Sequence, residues 1–365
     1  MRKARRLFAL LLILALCAGL AACGNAPGKE TADKATTRSF TDSVGRTVEL
    51  PERIERVIPS GNMAMMFVYP LAADKLAALA DPLSDEALRY LGEELAALPT
   101  VGNLYKTGTQ MNVEELANIR ADVFIDFGEA KETVGEDLDA LQSLLGIPCV
   151  FISGTLENAA ASYRLLGELL GQPEEAERCA AYIETIVTAA RNTFERVEKK
   201  DAVILNGTDG LGCVAAGSFQ DEIWAFMLRN AAVVADAQMY KSTAIDLEQL
   251  ANWDPEYLFF YNSPDPATIV DGGAWRALTA VKNGRVFAVP SGPWGYSYPP
   301  SVNRYLAVLW LSELLYPGEF DWDARALTKE FYELFYHYEL SDAEYETLFS
   351  AVGEQTGHGG AKGEP

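Results

Sequence analysis

Ser291-Gly292-Pro293-Trp294-Gly295-Tyr296-Ser297-Tyr298-Pro299-Pro300 is the part of this chain best equipped to hold a small molecule. Trp294, Tyr296 and Tyr298 fall within five residues and are stiffened by glycine and proline. Rigid rings give a large contact area at low entropic cost, which suits a flat or bulky guest. The competing use of Trp294 or a tyrosine is to plug a hydrophobic interior. Asn303 and Arg304 follow at a helix start, where a guanidinium and free backbone N–H groups suit an anion, although Arg304 could equally be a surface residue. Catalytic chemistry is poorly served. Asp and Glu are abundant, but none stands in a nucleophile-elbow or metal-protease pattern. His337 and His358 are the only histidines, so a four-ligand zinc site is not expected and free zinc or manganese is disfavoured.

Cys23 suggests a different chemistry. Arg2, Lys3, Arg5 and Arg6 precede an apolar run, Leu7 to Leu16, too short and too early to span a bilayer. Leu20-Ala21-Ala22-Cys23 then resembles the cleavage site of a bacterial lipoprotein signal. Residues 1–22 would be removed and the Cys23 sulfur would receive a diacylglycerol; the alternative is an ordinary secretory signal with an incidental cysteine. Two acyl chains anchor stably, at about 0.8 kcal/mol per buried CH₂, where one binds only marginally. Cys149, Cys179 and Cys213 remain, widely spaced and odd in number, which argues against a disulfide framework. Without the leader, 26 basic residues face 52 acidic ones, a net charge of −26. Such a surface repels nucleic acid and anionic headgroups.

Alternating elements must position these residues. Apolar strand patterns fall at 57–59, 123–127, 149–152, 203–205, 257–261 and 286–289, with helical stretches such as 132–145 and 156–170 between them. That alternation predicts an α/β fold with parallel sheets flanked by helices. Residues 40–50 read as a hairpin. Residues 172–199 read as one long helix opening at Pro173, better placed to join two lobes than to pack inside one. The expected layout is a signal peptide (1–22), a flexible tether (23–38), an N-terminal lobe (39–171), an interlobe helix (172–200), a C-terminal lobe (201–352) and a disordered tail (353–365). A faint repeat supports two related lobes. Asn112-Val113-Glu114-Glu115-Leu116-Ala117-Asn118 and Asp246-Leu247-Glu248-Gln249-Leu250-Ala251-Asn252 precede strands at equal distance, each with a capping-box arrangement.

Several stretches together resemble one family, the class III ABC-transporter substrate-binding lipoproteins that capture iron-siderophores, haem and cobalamin. They are Phe40 to Pro51 with Arg56-Val57-Ile58, then Val101-Gly102-Asn103, Val113 to Leu116 and Ala121-Asp122-Val123, and finally Trp275 to Leu278 with Ala280 to Val286. The resemblance implies two α/β lobes joined by a rigid helix, a ligand in the cleft between them, and no enzymatic activity or cofactor. It gives Glu114 and Glu248 the role of docking on paired arginines of a membrane permease. Their alternative role is the ordinary one of an acid in a first helical turn, worth about 0.3–1 kcal/mol.

Ligands of open α/β sheets bind outside the carboxyl ends of the strands, so the loops there supply the candidates. The first lobe offers Asn62, Met63, Tyr105, Lys106 and Glu129; the second offers Thr208, Tyr240, Lys241, Trp294, Tyr296, Tyr298 and Arg304. Lys106, Lys241 and Arg304 are the expected cations of the cleft, and so modest a number favours a hydroxamate or corrinoid over a catecholate. Tyr105, Tyr240 and Tyr298 are the residues placed to touch iron directly. The expected cargo is a ferric siderophore or related chelate, bound by a monomer lipid-anchored outside the cytoplasm. Molybdate is the alternative ligand, an extracellular hydrolase the alternative class, and a structural adhesin is disfavoured because low-complexity sequence is missing from the body.

Overall fold

The computed structural model describes residues 36–104, 111–238 and 241–356. Cys23 and the leader, most of the expected tether, Tyr105, Lys106, Tyr240 and residues 357–365 lie outside the described residues. No described helix is long and apolar enough to cross a membrane.

Strands β1 (Thr37–Thr41) and β2 (Thr47–Pro51) form the expected hairpin, with Phe40 opposite Val48. Thr37 and Arg38 belong to β1 rather than to a tether, because Thr37 pairs with Pro51 and the Arg38 guanidinium donates to the carbonyl of Leu169. The Asp42 carboxylate accepts from the N–H groups of Val44, Arg46 and Phe151 and pairs with the Arg46 guanidinium at 3.0 Å. This ties the turn to the sheet behind it.

That sheet is β3 (Val57–Pro59), β4 (Val123–Gly128) and β5 (Cys149–Ser153), in this order and parallel. Parallel neighbours need crossovers. Those here contain α1 (Asn62–Ala72), α2 (Asp85–Leu91) and α3 (Val113–Ile119), then α4 (Val134–Leu145). After β5 come α5 (Ala159–Leu170) and α6 (Pro173–Phe194). Helix α6 is shorter than the 172–199 span read from sequence, about 33 Å at 1.5 Å per residue. At its end the Thr193 hydroxyl donates back to the Ala189 carbonyl, while Arg196 and Val197 N–H groups converge on the Thr193 carbonyl. Phe194 is held among Phe226, Tyr316 and Phe320, and the chain must then straighten to reach the next strand.

The second half runs through β6 (Asp201–Asn206), β7 (Gly212–Cys213), α7 (Glu222–Met227), β8 (Arg229–Asn230), β9 (Thr243–Ala244) and α8 (Leu247–Trp253). It continues with β10 (Tyr257–Phe260), α9 (Pro266–Val270), α10 (Thr279–Lys282) and β11 (Val286–Ala288). The sheet order is β11-β10-β6-β7-β9, with β8 also beside β6. Its main strands are parallel, but β7 runs antiparallel to both its neighbours, β6 and β9, an edge the sequence did not reveal. Only the short turn 207–211 joins β6 to β7, too little chain for a crossover.

The repeat is real in outline. Asn112 caps α3 through the N–H groups of Glu114 and Glu115, and Asp246 caps α8 in a complete capping box with Gln249. Arg120 and Asp254 end the two helices in left-handed conformation at matching positions. Only the second copy closes the reciprocal bond.

Helices α11 (Arg304–Leu315), α12 (Ala324–Tyr336) and α13 (Asp342–Thr356) complete the chain. Helix α13 continues past Gly353, where the tail was expected to begin; one helical glycine costs only about 1 kcal/mol. Each sheet splits its residues by alternation. Ile125 and Phe127 in β4, and Phe259 in β10, face one large core shared by both halves. Phe124, and Leu258 with Phe260, face separate outer clusters. Helix α11 is buried almost all round inside the shared core, as an apolar helix must be. Helix α12 then returns to the first half: Phe335 packs edge-on to Tyr163 and Tyr182, and the Tyr182 hydroxyl donates to the Leu327 carbonyl.

Candidate ligand-binding cleft

A cavity of about 520 Å³ opens where the carboxyl ends of β3 and β4 face the second half. Asn62 and Met63 enter it from the start of α1, and Asp126 to Glu129 from the end of β4. The opposite wall is Phe219, Gln220, Lys241, Tyr298, Pro299 and Pro300. Of the ligand residues expected from sequence, Asn62, Met63, Glu129, Lys241 and Tyr298 are brought together here. Loops from both halves therefore line this cavity.

Local structure sets each wall. The Ser60 N–H donates to Ile125 and its carbonyl accepts from Leu104, so the loop after β3 is held flat across the strand ends. A Cβ at Gly61 would lie 2.8 Å from the Asn103 side chain, so glycine lets Asn103 reach the cavity wall. Asn62 Nδ2 donates to Asp81 at 3.1 Å. Helix α1 starts here with no side-chain cap and no acid in its first turn, which leaves its N–H groups for an acceptor. On the far wall, the Tyr298 ring lies 5.1 Å from Tyr261.

Four expected contacts are elsewhere. Trp294 packs on the shared core, edge-on to Tyr336 at 5.7 Å. Tyr296 is fully buried, and burial pushes its hydroxyl far above the usual phenol range. Both serve the core because the shared interior demands large rings where the loop crosses it. Thr208 is exposed on the tight turn into β7, which directs it along the sheet edge. Arg304 is neither a surface residue nor an anion site: it is 1% exposed, with Nη1 2.5 Å from Glu222 Oε2 and Nη2 donating to the Gly154 carbonyl. Glu222 Oε1 in turn accepts from the Leu156 N–H at 2.7 Å. A guanidinium fork spans two acceptors in this way, and here it pins the loop after β5 to helices of the second half. The Ser301 hydroxyl adds a bond to the Met63 carbonyl at 3.0 Å.

Asn103, from the loop beginning at Val101 that the sequence singles out, is on the wall; the sequence reading missed Asp126, Gln220, Phe219, Asp81 and Lys131, which line it too. Asp126 carried a signal: it is an acid inside the fully buried run Val123–Gly128, and such a group is tolerated only with partners. Its Oδ1 accepts from the Phe127 N–H at 3.0 Å. Gln220 and Phe219 sit in a short turn before α7 with no periodic pattern to mark them.

Glu114 and Glu248 are both exposed in the first turns of α3 and α8, and among the described residues neither forms an ion pair. No group of three His, Cys, Asp or Glu among the described residues is arranged to hold a metal ion. Cys149, Cys179 and Cys213 are free and buried; burial raises the first two thiols to about 12 and the third to about 11.

Two α/β halves thus share one core, with a cavity between their loops. Residues 68–293, more than half of the chain, match the family described as periplasmic binding protein, and the chain belongs to that family. The molybdate-binding protein MolA of Haemophilus influenzae is 25% identical over 334 residues, covering 82% of this chain and 91% of that protein. The iron(3+)-hydroxamate-binding protein FhuD of Bacillus subtilis is 22% identical over 314 residues, covering 82% and 93%. An ABC transporter solute-binding protein from Sulfurospirillum deleyianum superposes with a TM-score of 0.78 at 23% identity, covering 86% of this chain and 99% of that one. The chain is thus a class III extracytoplasmic substrate-binding protein of the ABC-importer type, and not an enzyme.

Proposed function

We propose that the protein captures a metal chelate, a ferric siderophore before others, in the cleft and delivers it to an ABC permease. Cavity size carries the reading. A space of about 520 Å³ matches a drug-sized organic ligand, whereas a tetrahedral oxyanion needs a small closed pocket of donors. Asp126 and Glu129 on the wall also discourage a bare anion. With Arg304 committed elsewhere, Lys241 and Lys131 are the described cations of the cavity, too few for a highly anionic catecholate. Tyr298 is the described phenol able to approach the metal centre. Molybdate is the second reading, favoured by the likeness to MolA.

Docking falls to Glu114 and Glu248, whose exposure and lack of ion pairs among the described residues suit a basic partner surface. Anchoring falls to an acylated Cys23. Native mass spectrometry with ferric hydroxamates, ferric citrate, haem, cobalamin and molybdate tests the cargo. We expect a ferric chelate to be retained; retention of molybdate alone overturns the reading. Labelled palmitate should enter the wild-type protein in cells and not Cys23→Ser.

A further inference from the structure

Gln220 is 8% exposed, lies in the turn Phe219–Asp221 and forms part of the cavity wall. A relay behind the wall fixes its amide. Asn206 Nδ2 donates to Ser242 Oγ at 2.6 Å and to the Tyr261 hydroxyl at 2.7 Å. The Tyr261 hydroxyl donates onward to Gln220 Oε1 at 3.2 Å. Burial raises that phenol to about 12, so it keeps its proton and stays a donor. A carboxamide has an oxygen that accepts and an NH₂ that donates, on opposite branches. With the oxygen taken by Tyr261, the NH₂ is left for the cavity, and no described residue accepts from it. The Lys241 ammonium, adjacent in sequence to Ser242, and Tyr298 line the same wall.

We infer that Gln220 is a specificity-determining residue, locked by Tyr261, Asn206 and Ser242 so that its amide N–H selects cargo presenting an acceptor oxygen to the second half. Carboxylate, hydroxamate and amide carbonyl oxygens fit; a cargo turning an N–H or O–H to this wall leaves two donors opposed, and a buried unpaired donor is costly. The inference rests on the proposed role of the cleft as the cargo site.

Gln220→Glu is the discriminating variant, since its carboxylate still accepts from Tyr261 while the donor is replaced by an acceptor. Tryptophan fluorescence titrations with a ferric trihydroxamate, ferric citrate and molybdate should show the best wild-type probe weakened by about tenfold or more. Tyr261→Phe, which frees the amide to turn over, should weaken the same probe by a smaller factor. Unchanged affinity in Gln220→Glu overturns the inference. A second measurement needs no cargo. In protein labelled with ¹⁵N-glutamine, the Gln220 side-chain amide signal should shift and exchange faster in Tyr261→Phe; an amide signal indifferent to Tyr261 overturns the lock. If none of the three probes binds the wild-type protein, the chelate and molybdate readings fail, and the amide measurement alone decides this inference.

Discussion

At the scale of single residues, position has overruled chemical type. Arg304 looks from its sequence neighbours like an anion ligand, yet its guanidinium is spent on Glu222 and the Gly154 carbonyl. Removing one partner of such a buried pair strands the others, at about 3–5 kcal/mol. Glu222 is 29% exposed, so the lower end applies. Arg304→Met should therefore lose about 3 kcal/mol in urea unfolding, and Arg304→Lys should recover only part of it, because lysine cannot fork. Cysteine gives a companion prediction. Thiols that titrate near 11 or 12 remain protonated at pH 8, and the thiolate is the nucleophile. Ellman's reagent should find Cys149, Cys179 and Cys213 silent in the native protein and reactive in urea. Cys149 is legible as a buried residue of the apolar run 149–152, whereas the surroundings of Arg304, Cys179 and Cys213 depend on contacts from distant parts of the chain.

Elements were far more legible. Strands at 57–59, 123–127, 149–152 and 257–261 announced themselves as short apolar runs between helical stretches, as parallel strands buried on both faces do. The short β7, β8 and β9, two residues each, leave no pattern at all. The same limit hid Phe219 and Gln220, whereas topology pointed to the loops after β3 and β4, which line the cavity, and also to the loop after β6, which does not. In α3 and α8 the caps Asn112 and Asp246 serve the backbone, while Glu114 and Glu248 stay exposed in the first turn. Asp246→Ala should cost about 1 kcal/mol in thermal or urea unfolding. Glu114→Arg combined with Glu248→Arg should abolish uptake in cells while cargo affinity in solution stays as in wild type. A fall in affinity would assign both residues to the cleft or the fold.

For the whole molecule, the shared interior matters more than the connecting rod. Helix α11 lies inside that interior, and Ser301 and Arg304 tie the second half to Met63 and Gly154 of the first. Two bodies joined in so many places have little freedom to open. Small-angle scattering should show a radius of gyration unchanged within error on cargo addition; a clear contraction would mean that these ties break and re-form. Alternation of strands and helices predicted two halves, but it could not show that the chain's last helices cross back.

That return has a bearing on how the polypeptide matures. Tyr163 and Tyr182 find Phe335, Tyr90 finds Tyr332, and Tyr69 finds His337, so the early segments wait for the final ones. A chain lacking its last helices would have an open seam along α1 and α6, where Tyr69, Tyr163 and Tyr182 would lose these ring contacts.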